Sequence, residues 1–399
     1  MNLLGDRSGG AVRHVLAPLR LLTPVGRGLV VTAVAAAVLG SRFHWLEFTQ
    51  LAAVAAGLLV LGLVWQLLPG APEAHLTLQR QRMVQGSPAP TLDLEVHAGS
   101  APMLFPRLLV PVGRSTLQLR LGFLGPFSRT HLRGLRLPNL PRGVHDVGPV
   151  IYEKADPVGA ISRRIRTGER IEVLVAPQVT DLPAFAGGLA NDLDGATSQQ
   201  LSMSDLAFHA LREYVPGDDL RHVHWRSSAK AGELLVRQFH ETRRGHITIL
   251  LDPARSSYPR ARDFELAVSM ATSIALRAVR DDLDTYFRCG PHLARSREPV
   301  AMTDIACRFT LEDADQHVAH VASAADATGA TGLVVQVTGS ARELAVLDDA
   351  ASRFGSGAER IVLRADSAGQ AQLVEHGALH EISVPDLPQL RRLLDLGMR

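Results

Sequence analysis

Two apolar runs near the N-terminus, residues 28–45 (GLVVTAVAAAVLGSRFHW) and 49–68 (TQLAAVAAGLLVLGLVWQLL), set the first limit on what this chain can fold into. Each approaches the roughly 20 residues needed to cross a bilayer, the first weakened by Arg42 and His44. So close together, they read as a transmembrane helical hairpin over 28–70. A basic leader, residues 1–27, carries Arg7, Arg13, Arg20 and Arg27 against the single acid Asp6, and Arg80 and Arg82 come after the second run. Arginine on both flanks places both ends in the cytoplasm, with only a short loop near Glu47 outside. A cleaved signal peptide would have a shorter apolar core and a small-residue cleavage site, whereas here a second apolar run comes at once. The expected localisation is the cell membrane, crossed twice, with both termini cytoplasmic.

The remaining length leaves room for two or three domains, since the chain has 399 residues, 46% of them apolar. A formal charge of +2 is too small to point to nucleic acid. The two cysteines, Cys289 and Cys307, form no framework and no CxxC, as in a reduced cytoplasmic protein.

Residues 71–180 change character. Short alternating runs (HLTLQRQ, TLDLEVHA, STLQLRLGF, RIEVLVAP) separated by Pro and Gly predict a β-sandwich-like middle domain or open barrel. Within it, Asp156-Pro157-Val158-Gly159-Ala160 is a turn ahead of the basic run SRRIRTGER. That run reads as a solvated edge strand; the sharper alternative has Arg163, Arg164 and Arg166 on anionic lipid headgroups. Residues 181–205, small, polar and Gly-rich, predict a mobile linker.

Residues 206–240 hold the densest chemistry. Arg212, Glu213 and Tyr214 end an apolar run, Pro216-Gly217 signals a turn, and Asp218 and Asp219 are placed to cap a short helix or turn after it. Arg221, His222, His224, Trp225, Arg226, Ser228 and Lys230 come next, before a strand at LLVRQF. His222 and His224 lack a third ligand at a recognisable zinc spacing. Ser227 and Ser228 near His224 and Asp219 invite a hydrolase triad, but no G-x-S-x-G elbow is present. The favoured reading is a domain junction or partner contact. Asp218, Asp219, Arg221 and Arg226 then form a structural ion-pair lattice, and Trp225 an apolar plug between domains, with a partner-facing hot spot as its alternative.

Residues 241–399 alternate strands and helices. HITILLD is a strand of the buried type, residues 262–281 an amphipathic helix and DTYFRCG the next strand; TGLVVQVTG, ERIVLRA and HEISVP come later, interleaved with helices. This predicts a Rossmann-like α/β domain, a parallel sheet with helices on both faces whose ligands bind at the carboxyl ends of the strands. That edge holds Asp252, Ser256, Ser257 and Thr338.

Three segments carry a family resemblance. REYVPGDDLRHVHWRSSAKAGELLVRQF resembles the signature of the domain of unknown function 58 (DUF58) family, roughly R-E-Y-x-P-G-D-D-x-R-x-I-x-W-x-x-S-A-R-x-x-x-L-x-V. LTPVGRGL and RGVHDVGPVIYEKADPVGA are similar to that family's approach to the membrane and its R-G-x-Y...D-P-F-G-L segment. The resemblance implies a membrane-anchored protein whose C-terminal α/β domain is von Willebrand factor A-like, found alongside MoxR-type AAA+ ATPases. Such A domains often hold a divalent cation through an Asp-x-Ser-x-Ser loop plus a Thr and an Asp from later loops. Here the loop is Asp252-Pro253-Ala254-Arg255-Ser256, with a methyl at the first serine position. The later strand supplies Thr338 but no aspartate, so Mg2+ at Asp252, Ser256 and Thr338 is disfavoured for want of oxygen ligands.

No catalytic constellation and no cofactor are therefore expected. The preferred function is a non-enzymatic membrane-anchored adaptor that presents a degenerate A-like domain to a cytoplasmic MoxR-type ATPase, in complex assembly or cell-envelope processes. The alternative is a metal-dependent switch or an enzyme acting at 212–239.

Overall fold

The computed structural model describes residues 21–68, 70–184, 206–215, 223–241, 246–329, 331–355, 357–377 and 379–397. The chain divides into two compact units, one ending at Ala176 and the other beginning at Pro177.

The first unit opens with two helices, α1 (Pro24–Phe43) and α2 (Leu46–Leu67). Thr23 starts α1: its Oγ1 accepts the Gly26 N–H at 3.1 Å, and Pro24 fills the first helical position, where no N–H is needed. His44 ends it in the left-handed region. The helices meet closely at Gly40, where a Cβ would stand 2.7 Å from Thr49 Cγ2. Both are long and apolar enough to cross a membrane. Val31, Val34, Val38, Val54, Val60 and Leu61 are all exposed along them, unlike the apolar face of a soluble core helix.

Ten strands come next: β1 (Glu73–Leu78), β2 (Arg82–Val84), β3 (Thr91–His97), β4 (Arg107–Val112), β5 (Ser115–Arg120), β6 (Arg129–Arg136), β7 (Gly143–Val147), β8 (Val150–Ala155), β9 (Ser162–Thr167) and β10 (Ile171–Ala176). They form a three-stranded sheet, β1-β3-β6, and a larger one in the order β2-β10-β7-β4-β8-β9, with β5 on β4. The two-residue period predicted for this region is what builds the core. Leu92, Leu94 and Val96 point inward from β3 and share one apolar cluster with Leu108, Val110, Val112, Val147, Val173 and Val175.

The Asp156–Ala160 turn joining β8 to β9 docks on the helices. Thr23 donates its N–H to Ala160 O (3.0 Å) and its Oγ1 hydroxyl to Gly159 O (2.5 Å), while Gln66 Nε2 donates to the carbonyls of Lys154 and Ile161, both at 3.1 Å. Buried Lys154 returns the contact from Nζ to Leu68 O at 2.5 Å, a cation on the free carbonyls that end α2. Gly26 is required by this closeness, since a Cβ there would lie 2.1 Å from Ala160 O.

The second unit begins with residues that pack rather than dangle: Leu182 is buried in its core and the Thr180 N–H donates to Ser273 Oγ at 3.0 Å. The predicted linker over 181–205 is thus packed at its start, and its residues 185–205 lie outside the described ones. Strands β11 (Leu206–Glu213) and β12 (Leu235–Glu241) then pair antiparallel, with the short helix α3 (Trp225–Ala231) between them.

The rest comprises β13 (His246–Leu251), α4 (Ala261–Arg280), β14 (Asp284–Cys289), β15 (His292–Ser296), α5 (Pro299–Ala306), α6 (His317–Thr328), β16 (Leu333–Gly339), α7 (Leu344–Ser352), β17 (Glu359–Ala365), β18 (Gln372–His376), β19 (Leu379–Val384) and α8 (Leu387–Gly397). One sheet runs β15-β14-β13-β16-β17-β19-β18. Alternate residues of β13 serve opposite faces: Ile247, Ile249 and Leu251 join a core with α4, while Leu250 joins Val321, Ala324 and Ala350 from α6 and α7. Burial on both faces explains the unbroken apolar run of this strand. The five inner strands are parallel as predicted, but both edges, β15 and β18, are antiparallel. Each edge strand is a short, polar run (HLARS, QLVEH) without the apolar pattern of the inner strands.

Candidate functional site

At the carboxyl end of β13, Asp252 is fully buried. Its carboxylate accepts five hydrogen bonds. Oδ1 takes the Ala254 N–H (2.9 Å) and Arg342 Nη2 (3.3 Å); Oδ2 takes Ser257 Oγ (2.6 Å), Thr338 Oγ1 (2.9 Å) and Arg342 Nε (3.0 Å). Tyr258 adds its hydroxyl to the Asp252 carbonyl at 2.7 Å. Burial alone would raise this carboxyl, but the Arg342 guanidinium, the Ser257 hydroxyl and the Ala254 amide hold it below the usual carboxylate range. Burial, and after it the charge of Asp252, pushes the Tyr258 phenol well up, so it remains a donor.

The fold supplies these groups from separate elements. A 3-10 turn over Arg255–Ser257 turns Ser257 inward, and the loop after β16 brings Arg342 back across the strand ends. Gly339 permits the approach, because a Cβ would lie 2.1 Å from Ser257 O. Arg364 on β17 braces the same loop by donating from Nη1 to the carbonyls of Gly339 (3.2 Å) and Arg342 (2.6 Å), and it is itself ion-paired with Glu381.

Arg342 also clasps Asp315, at 2.5 Å from Nη1 and 2.7 Å from Nη2. Its charge is reinforced first by Asp315, against the cost of burial, and then by Asp252. Behind it lies His317, whose Nδ1 is 3.9 Å from Asp252 Oδ1. Gln336 donates its Nε2 to Leu347 O at 2.7 Å, so its Oε1, 3.2 Å from His317 Nε2, is the acceptor and the imidazole carries its proton on Nε2. Burial lowers the His317 pKa, so the ring is neutral at pH 7 and the cation on Asp252 is the guanidinium.

This arrangement is a sealed polar latch. The Ser257 hydroxyl is a donor to a carboxylate held ionised, and the lone pairs a cation would need are already engaged. Among the described residues no group of three or more His, Cys, Asp or Glu could hold a metal ion. Of the loop predicted from the sequence, Asp252 and Thr338 come together, but the hydroxyl on Asp252 belongs to Ser257; Ser256 is exposed. Arg342, Asp315 and His317 had no signal in the sequence, being scattered through helix-like and loop stretches.

The 206–240 segment, read from the sequence as a domain junction or partner contact, is described only in part. Pro216, Gly217, Asp218, Asp219, Arg221, His222 and the Arg212 side chain lie outside the described residues. Glu213 is exposed, Tyr214 is half-buried and its N–H donates to Leu234 O at 2.8 Å. His224 caps α3, its Nδ1 accepting the Ser227 N–H at 3.2 Å. Ser228 is buried and clamps α3 to β12, accepting the Leu235 N–H at 2.8 Å and donating to the His224 carbonyl at 3.1 Å. Among the described residues the His224 imidazole therefore does not engage Ser228. Trp225 is 63% exposed, and Arg226 and Lys230 are exposed beside it.

Two membrane-length helices, a pair of largely antiparallel sheets and an α/β sheet with a sealed Asp252 cluster together describe a multi-domain class of protein with a candidate membrane anchor. Residues 210–284, which run from β11 through the Asp252 loop into β14, match the model of the family described as protein of unknown function DUF58, and this match supports the DUF58 family. No curated protein matches the chain. Among solved structures, the CARDB domain of the PF1109 protein from Pyrococcus furiosus, in complex with di-metal ions, is 9% identical, over 27% of this chain and 93% of that one, at a TM-score of 0.20. The alkylpurine DNA glycosylase AlkC of Pseudomonas fluorescens, bound to DNA containing an abasic site analog, is 17% identical, over 35% of this chain and 42% of that one, at a TM-score of 0.18. Neither likeness carries an argument about fold or function.

Proposed function

We propose that this chain is a non-enzymatic membrane-anchored adaptor. The helices α1 and α2 hold it in the cell membrane with both termini cytoplasmic. Its C-terminal unit acts as a degenerate von Willebrand factor A-like domain that presents a cytoplasmic surface to a MoxR-type AAA+ ATPase, in complex assembly or cell-envelope processes. The observation that carries this reading is the pairing of Arg342 with Asp252. An aspartate after the first strand with hydroxyls beside it resembles part of the set with which an A domain binds a cation, and here a guanidinium supplies the positive charge from within the chain. A domain so completed offers a fixed surface instead of metal chemistry.

The test is co-purification of the full chain from detergent with the MoxR-type ATPase of the same cell, then direct binding of the two purified proteins with and without EDTA. Metal-independent binding is expected. Absence of the ATPase from the purified complex, together with no direct binding, overturns the reading.

A further inference from the structure

A cavity of about 830 Å³ opens in the first unit beside the end of α2, within the size range of small-molecule sites. Trp65, Leu68, Leu104 and Phe105 supply an apolar wall, and Arg107 and Arg120 a cationic one. These two arginines are register partners on β4 and β5, so like charges stand directly opposite each other, a destabilising arrangement when nothing lies between them. Neither guanidinium makes a hydrogen bond or ion pair among the described residues. Of the acids that line the cavity, Glu153, the register partner of Arg107 on β8, pairs with Arg164 at 2.9 Å, while Asp156 accepts the Ile161 N–H on Oδ1 at 2.8 Å and keeps a buried Oδ2 with no hydrogen-bond partner among the described residues.

The surroundings are those of a bilayer surface. Trp65 sits in the last turn of a membrane-length helix, where aromatic residues favour the headgroup level. Phe105, Phe123 and Phe127 are 72%, 59% and 75% exposed. They lie on loops tied together by the Met103–Leu124 bridge and the bond from the Phe127 N–H to Gly99 O. Exposed aromatics around a cationic pocket at a helix end match an amphipathic anion: phosphate between the arginines, acyl chains along Trp65, Leu104 and Phe105.

We propose that this cavity binds the headgroup of an anionic phospholipid, with Arg107 and Arg120 sharing its phosphodiester. The proposal rests on the membrane-anchored reading, which carbonate extraction of membranes tests separately: release of the full chain into the soluble fraction would refute anchoring without any lipid being measured.

The full chain in mild detergent is titrated with phosphatidylglycerol, phosphatidylcholine and inorganic phosphate, and bound ligand is counted by native mass spectrometry. Phosphatidylglycerol is expected to bind at least about tenfold more tightly than phosphatidylcholine, and Arg107→Gln and Arg120→Gln each to lose about fivefold of that preference. Inorganic phosphate at equal concentration should not displace the lipid. The lysine variants Arg107→Lys and Arg120→Lys, which keep the charge, should retain most of the preference. Equal binding of the two lipids by the wild-type chain overturns the proposal without reference to any variant. So does retained preference in the folded double glutamine variant, or displacement by inorganic phosphate.

Discussion

Arg342 lays its guanidinium along the buried carboxylate of Asp252, Nε 3.0 Å from Oδ2 and Nη2 3.3 Å from Oδ1, although the two residues are 90 positions apart. The rest of the cluster orders itself about this pair. Asp315 holds the outer side of the guanidinium, and Ser257 and Thr338 complete the inner carboxylate oxygen.

Removing the guanidinium should leave an uncompensated buried charge. Arg342→Ala is expected to cost about 3–5 kcal/mol in unfolding free energy, measured by chemical denaturation of the full chain in detergent. The wild-type melting temperature should not respond to millimolar Mg2+. A Mg2+ response in the wild type would contradict the latch and restore the metal-switch reading of the chain.

Acid should weaken the second unit before carboxylates protonate. His317 has its pKa lowered by burial, so between its ordinary value of 6.5 and the lower native one the unfolded chain binds a proton that the native chain does not. Stability therefore falls as the pH drops below about 6.5. Asp252, also held low, contributes stability above its ordinary value of 3.8 that is lost only as the pH falls through its native value. Denaturation across pH 7 to 5 should show a smaller step in His317→Gln than in the wild type, the remainder belonging to His320, which burial also holds low; identical profiles would refute the assignment.

Ser228 and Trp225 should separate stability from recognition. Ser228→Ala leaves the Leu235 N–H without its acceptor and is expected to cost about 1–3 kcal/mol. Trp225→Ala alters an exposed side chain and should shift stability by no more than about 0.5 kcal/mol. If Trp225 is a contact for the ATPase, the same variant should weaken direct binding severalfold; a large loss of stability would instead mean that the indole is buried.

The docked Asp156–Ala160 turn is testable at Gly26. Gly26→Ala would place a methyl against the Ala160 carbonyl, so either α1 or the turn must move, at about 1–3 kcal/mol. Thermal melting and limited proteolysis at the turn report it. A variant as stable and as protected as the wild type would show that the turn is not held by α1.

Much of the architecture was legible because it is written in local periodicity. The unbroken apolar stretches became helices of membrane length, TLDLEVH alternates inward and outward as β3 does, and the solid run HITILL became a strand covered on both faces. The antiparallel edges β15 and β18 escaped because short polar strands carry no period strong enough to see. Trp225 was open for a related reason: an aromatic among charges has the same appearance whether it is a plug between domains or a surface feature, and the sequence admits both readings.

By itself, then, the sequence determined the segments, their types and the position of Asp252 at a strand's carboxyl end, since these depend on residues close in the chain. What neutralises Asp252 was decided by tertiary structure alone. Parallel pairing sets the ends of β13 and β16 side by side, Gly339 lets their loops touch, and Arg364 steadies the loop that carries Arg342. A buried carboxylate must find its counter-charge somewhere, and which distant residue supplies it depends on which strand ends the fold makes neighbours.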